Sequence, residues 1–198
     1  MNKLARVASV AALMAALFAV QAPKAAAKTV CNGSFTGPNK TVPGPVIVPS
    51  GATCTLSQVT VTVAVIVKLG GTLNLSASTV NGPVTMNGAT GDNVVCKSTI
   101  FGNLTVSNST GSVRIGEPCG GNIITESVTI SKNTGQLVFL QNSVGRHVTV
   151  RNNNSPTLSI SQNVISGSLV CRDNNPAPTG GGNTARGVRQ CAPPFSSS

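Results

Sequence analysis

Apolar residues alternate with small polar ones in short runs along most of this chain, and the runs recur about every twenty residues. Cut at Lys40, Ser57, Ser78, Ser98, Asn122, Asn142, Asn163 and Asn183, the segments stand 17, 21, 20, 24, 20, 21 and 20 residues apart. The sixth position after each of the first seven cuts is apolar: Val46, Val63, Val84, Leu104, Val128, Val148 and Leu169. Two residues on come Val48, Val65, Met86, Val106, Ile130, Val150 and Cys171. Alternation of period two with β-branched residues predicts strands, because successive side chains on a strand point to opposite sides. Recurrence at this length predicts that the strands stack coil upon coil as a solenoid.

The polar positions predict where each coil turns. Thr90-Gly91, Thr110-Gly111, Thr134-Gly135 and Asn154-Ser155 follow the first strand at equivalent places, and such residues suit tight turns. A second strand comes next, through Val113 and Ile115, Leu137 and Phe139, or Leu158 and Ile160. Asn122, Asn142, Asn163 and Asn183 then open successive coils, and stacked Asn side chains can bond to one another and to turn backbone, which predicts an internal ladder. Pro38, Pro43, Pro45 and Pro49 suit an edge coil at one end, and Pro176, Pro178 and Gly180 to Gly182 suit one at the other. Gly44, Gly82, Gly102, Gly167 and Gly187 complete a motif, Asn-x-apolar-x-Gly-x-apolar-x-apolar, that runs from about Lys40 to Cys191. This motif resembles the right-handed parallel β-helix of small secreted bacterial repeat proteins. The resemblance implies an all-β fold of about seven to eight coils and brings no catalytic motif with it.

The N-terminus and the cysteines predict an exported protein, and the charge predicts an anionic partner. Lys3 and Arg6 precede an apolar run from Val7 to Val20, and Ala25-Ala26-Ala27 offers small residues for cleavage, so residues 1–27 read as a signal peptide. No later stretch has the length and apolarity of a transmembrane segment. A single domain over 28–191 and a disordered tail over 192–198 follow. The formal net charge is +10, or about +7 without Lys3, Arg6 and Lys24, which suits an anionic partner such as an envelope polysaccharide. All six cysteines lie beyond residue 27, and an even number in an oxidising compartment reads as disulfides. Separations of 23, 23 and 20 residues within nearest-neighbour pairs match one coil each, predicting Cys31–Cys54, Cys96–Cys119 and Cys171–Cys191 on adjacent coils about 4.8 Å apart. There is no Cys-x-x-Cys pair and only one His, so neither a metal site nor another cofactor is expected.

Catalysis finds little to work with. Glycoside hydrolysis needs paired carboxylates, and the chain has only Asp92, Glu117, Glu126 and Asp173, no two of them in one repeat at strand spacing. Glu126 and Arg146 occupy equivalent positions of consecutive coils, which predicts an ion pair. His147 falls on the outward face without a nucleophile beside it. Binding has better candidates. Thr85, Thr105, Thr129 and Thr149 share one outward position on four consecutive coils, flanked by Asn103, Ser107, Ser127 and Ser131. Arg151 and Arg172 share another on adjacent coils, and with Arg146 and His147 they predict a basic edge for carboxylate or phosphate groups. Trp and Tyr are absent, and beyond residue 27 only Phe35, Phe101, Phe139 and Phe195 are aromatic, which argues against single-stranded nucleic acid. The sequence therefore predicts a secreted, non-catalytic structural or binding protein of the cell surface or matrix. Two alternatives stand beside it: a small lyase-like enzyme acting on polysaccharide with Arg as base, and a module whose Thr face meets a regular surface.

Overall fold

The computed structural model describes residues 27–191. The predicted signal peptide lies outside them but for Ala27, and so does the predicted disordered tail. Among the described residues there is no helix, and the strands stack in parallel as a β-solenoid of about eight turns.

A full turn contributes three strands, one more than the alternation predicts. On the first face nine strands, such as Leu104–Ser107, pair in parallel from Thr29–Val30 to Arg189–Gln190. Strands such as Ser112–Ile115 build the second face. Two-residue strands such as Ile123–Ile124 build the third. The strand Thr53–Val61 runs through both of these faces and joins them at the N-terminal end. Inward side chains from all three faces meet in one core, for example Leu104 and Val106, Ile115 and Phe139, and Ile100 and Ile124.

One predicted register is corrected. Lys40 pairs with Val59, and Val59 N donates to Ser78 Oγ at 3.1 Å, so the cut at Ser57 falls two residues early. Val65, not Val63, pairs with Val46 and Val84; Val63 is 41% exposed at a bend. Valine occupies every second position from Val59 to Val67. A slip of two residues keeps each side chain on its face, so alternation leaves that slip undetected.

Ladders of side chains hold the corners. Between the second and third faces, Asn122, Asn142, Asn163 and Asn183 are buried one above another, as predicted. Asn142 Oδ1 accepts from the backbone N and Nδ2 of Asn122 at 3.0 and 2.8 Å, and the bonds repeat from Asn142 to Asn163 and from Asn163 to Asn183. Each Nδ2 also donates to a carbonyl of the second face: Val95, Ile115, Phe139 or Ile160. A second ladder, not predicted, holds the corner between the first and second faces through Ser109, Asn133, Asn153 and Asn174. The residue before most ladder positions takes a positive φ, as at Lys97, Gln141 and Gln162 on one corner and Asn108, Lys132 and Asn152 on the other; Gly121 before Asn122, at the end of the insertion, does not. Among the described residues, no buried side-chain nitrogen or oxygen is left without a partner.

All three predicted disulfides form, with Cα separations of 5.4, 5.6 and 4.4 Å for Cys31–Cys54, Cys96–Cys119 and Cys171–Cys191. Cys31–Cys54 ties down the incomplete first coil, and Cys171–Cys191 ties down the incomplete last one. Cys96–Cys119 pins the insertion over 116–121 that lengthens one coil to 24 residues.

Candidate binding face

The outward side chains of the first face fall into three columns, about 4.8 Å apart from coil to coil and about 6.7 Å apart along each strand. Thr85, Thr105, Thr129 and Thr149 fill the middle column in strict register and are half-buried. Ile47 and Ile66 continue it at one end and Val170 at the other. β-branched residues suit such a position, because they pack well on a pleated, half-exposed surface.

The column nearest the third face is Asn103, Ser127, His147 and Ser168, and it is a ladder in its own right. Ser127 N donates to Asn103 Oδ1 at 3.1 Å, His147 N to Ser127 Oγ at 3.3 Å, Ser168 N to His147 Nδ1 at 3.1 Å and Val188 N to Ser168 Oγ at 3.1 Å. His147 thus uses Nδ1 as an acceptor. An imidazole that accepts at Nδ1 carries its proton on Nε2, a donor toward solvent.

The column nearest the second face is Asn87, Ser107, Ser131, Arg151 and Arg172, each paired with the next. Asn87 Oδ1 accepts from Ser107 Oγ at 3.3 Å and from Asn108 Nδ2 at 2.8 Å. Arg151 and Arg172 are exposed, and Arg172 Nη2 donates to Gln190 Oε1 at 3.3 Å. A shallow hollow beside Arg172 is lined by Cys171, Asp173, Asn174, Ala177 and Pro178.

Among the described residues no acidic side chain pairs with these two arginines. The predicted ion pair forms, with Arg146 Nε 2.6 Å from Glu126 Oε2, so Arg146 stands apart from Arg151 at the opposite end of the strand Val148–Arg151. Arg114 takes both oxygens of Asp92 on the second face. Among the described residues those are the two ion pairs, and Arg151 and Arg172 face no carboxylate within 4.0 Å. No three His, Cys, Asp or Glu side chains gather among the described residues. Phe139 is buried in the core, and Phe35 and Phe101 lie off the first face.

Two guanidiniums in register can each meet a carboxylate or phosphate with two parallel hydrogen bonds. The hydroxyls and amides beside them can take sugar hydroxyls. Sequence reasoning expected Thr85, Thr105, Thr129 and Thr149 in one column and Arg151 beside Arg172, and the register has them so; it also expected Arg146 and His147 in one basic edge with those arginines, but they lie at the opposite end of the strand, and it missed the ladder through His147, whose four members are of three residue types. No family profile, curated protein or solved structure matches this chain.

Proposed function

We propose that the protein is an exported, non-catalytic binding protein that holds an anionic envelope or matrix polysaccharide on its first face. The observation that carries this reading is the pair Arg151 and Arg172, in register and exposed, with no carboxylate facing them. Like charges directly opposite each other on neighbouring strands repel. A bound anion turns that repulsion into two attractions. The Thr column supports the same face in a second way, since its four coils present a flat, neutral surface that a regular polymer can lie against.

The test is co-sedimentation of the purified chain with a panel of acidic and neutral polysaccharides. Binding to acidic polymers is expected at low salt and release at high salt, because exposed charges are screened. Arg151→Glu with Arg172→Glu is expected to abolish binding without unfolding, both residues being exposed. Thr105→Lys with Thr129→Lys separates the two contributions: it strengthens binding to an acidic polymer and abolishes binding to a neutral crystalline one. Binding unaffected by the double arginine variant would overturn the proposal. Release of unsaturated uronate products, lost in Arg151→Ala, would make the protein a lyase instead.

A further inference from the structure

We infer that an acidic polysaccharide lies parallel to the solenoid axis, along the edge where the first face turns to the second, and spans Lys68 to Arg172. The inference rests on the proposed function and adds a direction and a length to it. Five side chains in unbroken register mark the edge: Asn87, Ser107, Ser131, Arg151 and Arg172. Lys68 extends it by one coil, because Val67 before it pairs with Met86 before Asn87. Lys68, Arg151 and Arg172 are exposed, and Lys132, which follows Ser131, adds a further exposed cation.

Electrostatics separates the two directions a chain could take. A polymer crossing the face along the strand Val148–Arg151 meets one arginine, then Thr149, then His147 with Nδ1 engaged, and arrives at the corner that holds Glu126 and Arg146 as a closed pair. A polymer following the edge meets a cation at each end and in between the exposed amide of Asn87 and the half-buried hydroxyl of Ser107, which suit sugar hydroxyls, and it passes over the buried Ser131. The nearest carboxylate on that path is Asp173, exposed next to Arg172 at its far end. Coils advance by about 4.8 Å, so the five steps from Lys68 to Arg172 cover about 24 Å. Sugars in an extended polysaccharide advance by a comparable step, so successive acid groups meet successive coils.

The test measures the affinity of the full chain for size-fractionated polyuronate oligomers at low salt, in wild type, Lys68→Glu, Lys97→Glu and Arg151→Glu with Arg172→Glu. Affinity is expected to rise with oligomer length until the oligomer spans about 24 Å. Lys68→Glu should lower the affinity of those long oligomers about fivefold, the upper range for one exposed ion pair, and leave a disaccharide unchanged. Lys97→Glu, the same charge change away from the first face, should leave both unchanged. The inference is overturned if Lys68→Glu leaves long oligomers unaffected while the double arginine variant still abolishes binding, an outcome that keeps the proposed function. It is also overturned if Lys97→Glu weakens binding as much as Lys68→Glu, since net charge alone then explains the effect. Failure of every oligomer to bind removes the proposed function and this inference together.

Discussion

At Asn142 the side chain accepts two hydrogen bonds and donates two, all of them buried. Asn142→Ala strands the N–H of Asn122 and one of its two Nδ2 protons, the other staying on the Val95 carbonyl, and takes a donor from the Ile115 carbonyl; each unsatisfied buried group costs about 1–3 kcal/mol. A loss of about 4 kcal/mol in urea unfolding is expected. Asn142→Ser should lose about half as much, because Ser98 already serves in the same column, accepting from Ser78 N and donating to the Cys96 carbonyl. Equal losses for the two variants would show that the bonds are not what the column contributes. This ladder was legible because single Asn residues recur at even spacing. The ladder through Asn133, Asn153 and Asn174 recurs just as evenly, but Asn152 to Asn154 and Asn174-Asn175 offer adjacent candidates among which composition does not choose. The ladder through Asn103, Ser127, His147 and Ser168 is hidden for another reason: any acceptor that reaches the next backbone N–H will serve, so the residue type varies.

First-face strands announce themselves by alternation, and the Thr column could be read from them directly. The third face could not be read this way, since a pair such as Ser143–Val144 shows no period. Its strands exist because the corner ladder and the buried Val144 fix them against their neighbours. Elements also meet at glycines where the coils approach closely. A Cβ at Gly135 would overlap the carbonyl of Gly111, and one at Gly111 would overlap that of Gly91. Backbone cannot yield there without moving a whole coil, so Gly135→Ala is expected to destabilise by about 3 kcal/mol, the upper range for overpacking. Gly181 has open space around it, and Gly181→Ala should leave the melting temperature near its wild-type value. A thermal melt of the two variants checks the contrast.

On the scale of the whole molecule, each coil touches only its neighbours, and stability is a sum of local terms rather than one global one. The ends are the weak places, and two of the three disulfides are there. With Cys171 and Cys191 both changed to Ser, amide exchange is expected to accelerate over 184–190 while Leu104, Val106 and Ile130 in the central coils keep their protection. Loss of protection through the whole chain would mean that the coils unfold as one unit. Charge acts at this scale too. Lys28 and Lys40 at one end and Arg186 and Arg189 at the other set like charges against any end-to-end stacking of copies, which open strand edges would otherwise invite.

Parallel pairing with the next coil alone also governs how the chain comes to be folded. The inter-coil bonds of the corner ladders join residues 19 to 27 positions apart, from Val59 and Ser78 through to Asn163 and Asn183, and none waits for the far terminus. A polypeptide made from its N-terminus can therefore close each coil as soon as the following one has emerged. Each disulfide likewise joins neighbouring coils, with 20 or 23 residues between its cysteines in sequence. Folding can begin wherever two neighbouring coils are present and spread from there toward both ends.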